Sequence, residues 1–202
     1  MCVIGKQLFL IADKHLSGSG DETDGSIFVL NLDDQNKEWQ LVIKKDFTER
    51  TECCFCEFNG KIYMIGGHLE FPIDNILEAS NAVDVFDPEP NTWQSAAPLN
   101  QKRFSAGAAT LNGLLYVVGG LKAHCKKLAS VKCYNPETNE WKYVAPLPHP
   151  RENPCVVSHN GLLYVMGGER KNVEIYDPET DNWTSKKTSN KDFMYCKQAF
   201  VL

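Results

Sequence analysis

Short apolar or alternating runs of six to eight residues, each closed by turn residues, recur along the chain, a pattern of strands rather than helices. Three of these runs are nearly superimposable: NGKIYMIGG at 59–67, NGLLYVVGG at 112–120 and NGLLYVMGG at 160–168, spaced 53 and 48 residues apart. A second string follows each: VDVFDPEPNTW at 83–93, VKCYNPETNEW at 131–141 and VEIYDPETDNW at 173–183. A degenerate copy opens the chain, with GKQLFLIAD at 5–13 and IFVLNLDDQNKEW at 27–39, where Ala12 and Asp13 replace the diglycine. Self-similarity at this period marks a repeat architecture.

Each unit divides into four strands, a to d. Strand a ends in Asn-Gly at 59–60, 112–113 and 160–161, a dipeptide suited to a type I′ hairpin because both central residues need φ > 0. Strand b ends in a diglycine (Gly66 and Gly67, Gly119 and Gly120, Gly167 and Gly168), expected where backbone must turn and let a neighbour come close. Asp-Pro or Asn-Pro at 87–88, 135–136 and 177–178 supplies the c–d turn, because Pro sets φ while Asp or Asn bonds its own downstream backbone. Strand d opens with Trp93, Trp141 or Trp183, and Trp39 stands in that place in the first unit. A four-stranded meander carrying a large Trp cannot bury that face alone; it must stack on copies of itself, and radial stacking yields a propeller.

The diglycine, Tyr and Trp at this spacing resemble the Kelch repeat, and in particular the Kelch-like proteins that carry a BTB domain upstream. The pairs Tyr63 with Trp93, Tyr116 with Trp141 and Tyr164 with Trp183 carry the resemblance. It implies an all-β fold, a partial Kelch-type β-propeller of about four blades. Residues 1–48 read as a partial blade of strands b, c and d; 49–100, 101–149 and 150–189 as blades; and 190–202 as a further strand a, from Tyr195 to Leu202. Kelch propellers usually have six blades, so a fragment is expected, with apolar blade faces that promote self-association; the alternative is that the last strand completes the first blade and closes a ring of four.

Composition narrows the function. With 202 residues, 43% hydrophobic, 23% charged and a net charge of -5, the chain reads as globular. Its acidic balance argues against a dedicated nucleic-acid binder. No run approaches the length of a membrane span and no secretory signal opens the sequence, so a cytoplasmic or nuclear protein is expected, with its eight cysteines reduced.

Meander parity places the d–a and b–c loops on one face and the short a–b and c–d turns on the other. The b–c loops at 14–26, 68–80, 121–130 and 169–172 differ in length and composition, and variable loops on a rigid frame carry specificity. Residues 101–151 hold eight Lys or Arg against Glu137 and Glu140, a local balance of +6 where the remainder is -11. Lys122, Lys126 and Lys127 concentrate that charge in one loop beside His124, and His68 begins another. Arg50, Arg103 and Arg151 share one position at the start of strand a, with Lys191 a candidate fourth. The resemblance implies that such arginines and the b–c loops contact acidic peptide segments of a protein partner, for which a guanidinium fork is suited. The other reading is that each arginine bonds a blade-edge carbonyl.

No catalytic or metal constellation stands out. Along a strand, Cys54 and Cys56 share a side and Cys53 does not, and His124, Cys125 and Cys133 lack the fourth ligand of a closed zinc site. Cys125 among lysines is a candidate redox-sensing thiol. No cofactor is expected. The resemblance implies a substrate-recognition propeller of a BTB-Kelch adaptor that presents a bound protein to a cullin ubiquitin ligase, the BTB domain lying outside this sequence. The alternatives are an actin-binding Kelch protein and, less favoured, a propeller enzyme.

Overall fold

The computed structural model describes residues 2–11, 26–35, 38–44, 50–71 and 76–188. Four antiparallel four-stranded sheets follow one another along the chain. The first holds β1 (Cys2–Ile4), β2 (Gln7–Ile11), β3 (Ser26–Asn31) and β4 (Gln40–Lys44). After β5 (Arg50–Thr51), the second is built from β6 (Cys54–Phe58), β7 (Lys61–Ile65), β10 (Val83–Asp87) and β11 (Thr92–Ser95). The hairpin β8 (His68–Phe71) and β9 (Ile76–Ala79) interrupts it and pairs with β5. The third comprises β12 (Gly107–Leu111), β13 (Leu114–Val118), β16 (Val131–Asn135) and β17 (Glu140–Val144), with the two-residue strands β14 (Leu121–Lys122) and β15 (Lys126–Lys127) in its b–c loop. The fourth is β18 (Pro154–His159), β19 (Leu162–Gly167), β20 (Arg170–Asp177) and β21 (Asn182–Lys187).

The first sheet corrects the expectation of three strands, b to d. Cys2–Ile4 pairs with β2 through Cys2↔Phe9, Val3↔Leu8 and Ile4↔Gln7, a short strand a that precedes any recognisable repeat landmark. The degenerate corner at Ala12 and Asp13, Lys191 and the strand expected at 195–202 lie outside the described residues.

Turn chemistry follows the sequence closely. Both residues of each Asn-Gly pair have positive φ (Asn59 51° and Gly60 73°, Asn112 50° and Gly113 73°, Asn160 47° and Gly161 75°). At the c–d turns, Asp87, Asn135 and Asp177 accept from the backbone N–H of Glu89, Glu137 and Glu179 at 3.2, 2.9 and 2.9 Å.

The core lies between blades. Phe58, Tyr63 and Val85 of the second blade interlock with Leu115, Tyr134 and Trp141 of the third; Leu111, Tyr116 and Val131 of the third interlock with Leu163, Tyr176 and Trp183 of the fourth. Each strand-b ring meets the strand-c ring of the next blade, Tyr63 on Tyr134 at 6.0 Å and Tyr116 on Tyr176 at 5.9 Å between centroids. In the first interface Phe9 takes the place of Tyr and meets Phe86 at 6.4 Å. Hydrogen bonds repeat with the same period. Trp141 and Trp183 donate through Nε1 to the carbonyls of Ala97 and Ala145 in the preceding blade, both at 2.8 Å. The hydroxyls of Tyr134 and Tyr176 donate to Asn139 and Asp181 at 2.8 and 2.7 Å, and those side chains accept from the N–H of Ala97 and Ala145.

On the first blade, the face turned away from the second carries Val3, Leu10 and Leu41, exposed together with Trp39. Their register (Val3↔Leu8, Leu10↔Phe28, Phe28↔Leu41) puts them on one side. Leu10 holds the repeat position at which Met64, Val117 and Val165 are buried in the other blades.

The diglycines have a specific steric cause. A Cβ on Gly66 would sit 2.3 Å from the Arg103 carbonyl oxygen, and one on Gly119 2.6 Å from that of Arg151, and both glycines have positive φ. Gly119→Ala is therefore expected to cost about 1–3 kcal/mol through backbone strain alone, with the displaced Arg151 carbonyl adding to it. A urea midpoint unchanged from wild type would refute this close approach.

Candidate partner-binding face

The arginine ladder serves the repeat. Arg103 and Arg151 are fully buried. Arg50 Nη1 donates to the Gly66 carbonyl at 2.8 Å, Arg103 Nη1 to that of Gly119 at 2.9 Å, and Arg151 Nη1 to that of Gly167 at 2.5 Å. The backbone carbonyls of Arg103 and Arg151 accept from the N–H of Gly67 and Gly120 in the preceding blade, at 2.9 and 2.8 Å. Each such arginine thus closes the b–c corner of its own blade and pins that of its neighbour. The expectation that Arg103 and Arg151 reach a partner is corrected, since both guanidinium groups lie out of reach of solvent; Arg50, whose side chain is 6% exposed and paired with Asp84, follows them. Blade-edge carbonyl bonding, the other reading, is what the geometry displays.

His68 also moves from the partner surface to the interior. It is 2% exposed, packs edge-on against Phe104 at 5.0 Å and shares a hydrogen bond of 3.1 Å between its Nε2 and Thr51 Oγ1. The β5–β8 pairing buries it, because Thr51 lies directly opposite His68 in register.

The third-blade loop remains on the surface. Its tip, Ala123–Cys125, is a single 3₁₀ turn in which His124 and Cys125 have φ of 58° and 51°. His124, Cys125 and Lys126 are exposed and Lys122 is half-buried. Lys127 is drawn sideways, its Nζ lying 2.7 Å from Glu169 and 3.3 Å from Glu152 of the fourth blade. The Glu169 hydrogen bond, with Glu152 behind it, holds that amine above its ordinary range. Lys122, His124 and Lys126 are the part of the basic cluster with no ion pair among the described residues.

Cys54 faces the core, where burial pushes its thiol up to about 12. No group of three or more His, Cys, Asp or Glu side chains close enough to hold a metal occurs among the described residues. A cavity of about 540 Å³ lies on the opposite face, between the a–b corner of the first blade and the a–b and c–d turns of the second, with the Lys61–Asp87 pair at 2.7 Å on its wall.

One feature of the third blade escaped the reading of the sequence. The residue after the first Val of the VDVF, VKCY and VEIY strings, Asp84, Lys132 or Glu174, holds one repeat position on strand c. Asp84 meets Arg50 and Glu174 meets Arg151, but in the third blade the acid is a lysine. Lys132 is fully buried, its Nζ 3.4 Å from the centroid of the Tyr143 ring. Desolvation, reinforced by Arg103, pulls its amine down from 10.5 to about 8. Lys132 Nζ and Arg103 Nε both lack a hydrogen-bond partner among the described residues. The strings VDVF, VKCY and VEIY show the reversal once superimposed, yet nothing in them says that the position is buried.

Among the described residues no helix is long and apolar enough to cross a membrane. Residues 1–198 match the family described as the KLHDC2/KLHL20/DRC7 Kelch-repeats domain. The chain is 30% identical over 119 residues to Kelch-like protein 23 of Homo sapiens, covering 59% of this chain and 19% of that protein. It is 37% identical over 71 residues to an F-box/kelch-repeat protein of Arabidopsis thaliana, covering 35% of this chain and 18% of the relative. It thus spans about a fifth of the length of these curated relatives. The solved structure of YjhT superimposes with a TM-score of 0.71 at 16% identity, covering 81% of this chain and 60% of that one, a likeness of fold alone. Four stacked four-stranded blades, the diglycine corners, the Trp staples and the family match lead to one conclusion: this chain belongs to the KLHDC2/KLHL20/DRC7 Kelch-repeats domain family and folds as a partial Kelch-type β-propeller.

Proposed function

We propose that the chain is the substrate-recognition propeller of a BTB-Kelch adaptor, which holds a target protein for a cullin ubiquitin ligase in the cytoplasm or nucleus. The observation that carries this reading is the match to the Kelch-repeats family over 1–198, together with Kelch-like relatives. The division of labour within the repeat supports it. Glycine, Tyr, Trp and Arg positions hold the frame, while the b–c loops differ from blade to blade, as expected where one scaffold serves recognition. In this reading an acidic segment of the target meets Lys122, His124 and Lys126, the exposed basic tip.

The double variant Lys122→Glu/Lys126→Glu is expected to weaken target binding by about tenfold or more, because like charges facing each other across an interface cost several kcal/mol. Proteins recovered with wild type but not with this variant should gain half-life when the chain is removed from cells and again when cullin activation is blocked. Unchanged half-lives, with the chain co-sedimenting with filamentous actin, would replace this reading by the cytoskeletal one.

A further inference from the structure

The charge reversal at Lys132 leaves a specific chemical gap. In the fourth blade the Glu174 carboxylate accepts from Arg151 Nε at 2.8 Å and lies 2.9 Å from His149 Nδ1. In the third blade the corresponding nitrogen, Arg103 Nε, and the amine of Lys132 are both buried N–H donors with no acceptor among the described residues. Both side chains are buried and the charge of Arg103 is felt at the Lys132 amine, an arrangement that is costly unless an anion joins the two cations. The remaining donors of Arg103 are taken: Nη1 bonds the carbonyls of Gly119 and Ser130, and Nη2 bonds Gln101 Oε1 and Ser130 Oγ.

A second change accompanies the first. The cross-strand neighbour of the strand-c residue is Ser95 opposite Asp84 and Ser185 opposite Glu174, but Tyr143 opposite Lys132. The Tyr143 ring covers the amine while remaining 56% exposed. A cation against an aromatic face is a weaker partner than a carboxylate, and a half-exposed ring on an outer strand can rotate aside without unfolding the blade.

We propose that Arg103 Nε and Lys132 Nζ form a carboxylate-binding site beneath Tyr143, in which an external carboxylate occupies the position that Glu174 fills within the fourth blade. The carboxylate comes either from an Asp or Glu side chain of a protein partner or from a free small acid. The first source rests on the protein-binding reading above; the site itself does not, so its failure would leave that reading standing.

Sodium acetate is the probe. Wild-type chain is expected to melt about 2–4 °C higher at saturating acetate than in sodium chloride of equal ionic strength, with a saturable dependence on acetate. A midpoint at or below about 1 mM assigns the site to a free acid, and a higher one to a tethered side chain. Lys132→Glu supplies the acid internally, so it should melt above wild type in chloride and lose the acetate response. Lys132→Met keeps only Arg103 and should shift the acetate midpoint upward by about tenfold. Broadening of the ¹³C-acetate resonance by wild type but not by Lys132→Glu provides a reading independent of folding. Identical melting of wild type in the two salts, or an undiminished acetate response in Lys132→Glu, would overturn the proposal.

Discussion

Arg151→Ala is expected to lower the unfolding free energy by about 3–5 kcal/mol, the cost of breaking a buried ion pair by removing one partner. Both side chains of the Arg151–Glu174 pair are fully buried, with Nε donating to Oε2 at 2.8 Å. The arginine also holds the Gly167 carbonyl through Nη1, and the Asn172 carbonyl and Oδ1 through Nη2 at 2.9 and 3.1 Å. Truncation strips the Glu174 carboxylate of its main counter-charge in a place water cannot reach and leaves the Gly167 and Asn172 carbonyls short of a donor. Arg151→Lys keeps the charge but loses the planar fork, so it should recover only part of the loss. Replacing the pair together, Arg151→Met with Glu174→Met, should cost less than Arg151→Ala, because no unpaired charge is then buried. Urea midpoints of the three variants decide it. A loss below about 1 kcal/mol for Arg151→Ala would mean that the ladder is ornamental to stability.

Trp141→Ala is the second large effect, expected at about 3–5 kcal/mol. The indole is 9% exposed, packs 5.0 Å from the Tyr134 ring and reaches across to the Ala97 carbonyl of the second blade at 2.8 Å. The substitution therefore opens a cavity between blades and removes a hydrogen bond that joins them. Because repeat stability is a sum of blade terms and interface terms, the second and third blades should lose part of their common melting transition. Trp141→Phe, which preserves most of the ring but leaves the carbonyl without its donor, should cost about 1–3 kcal/mol. Trp39→Ala is the control: this residue holds the same repeat position but is 43% exposed, so a loss of about 1 kcal/mol or less is expected. Equal losses at Trp39 and Trp141 would contradict the interface assignment.

Arg151 and Trp141 both belong to the part of the blade that repeats. Arg151 is one of three ladder arginines, and its burial shows why a basic residue recurs at that point. The guanidinium supplies donors to b–c corner carbonyls that positive-φ glycines leave turned inward. In the function proposed above, specificity is left to the residues around that frame, above all the basic tip of the third blade.

The sequence by itself determined the blade plan. Asn-Gly, diglycine and Asp-Pro signals act through φ preferences and side-chain-to-backbone bonds, which need only local chain, so the turns and strand pairing could be read directly. The recurring Trp could be read as well, because a meander with one large apolar face has few ways to bury it. The short strand Cys2–Ile4 could not, since three residues carry no periodicity. Which of the candidate arginines and histidines face inward was settled by tertiary packing alone. Whether an arginine or histidine is buried depends on how the next blade and the β5–β8 pairing close over it, and residue type is silent on that. The same holds for Lys132. In sequence it is one more surface lysine in a basic stretch; in the fold it is a buried amine without an acceptor among the described residues, because strand-c register gives it the position from which an acid meets the ladder arginine in the other blades.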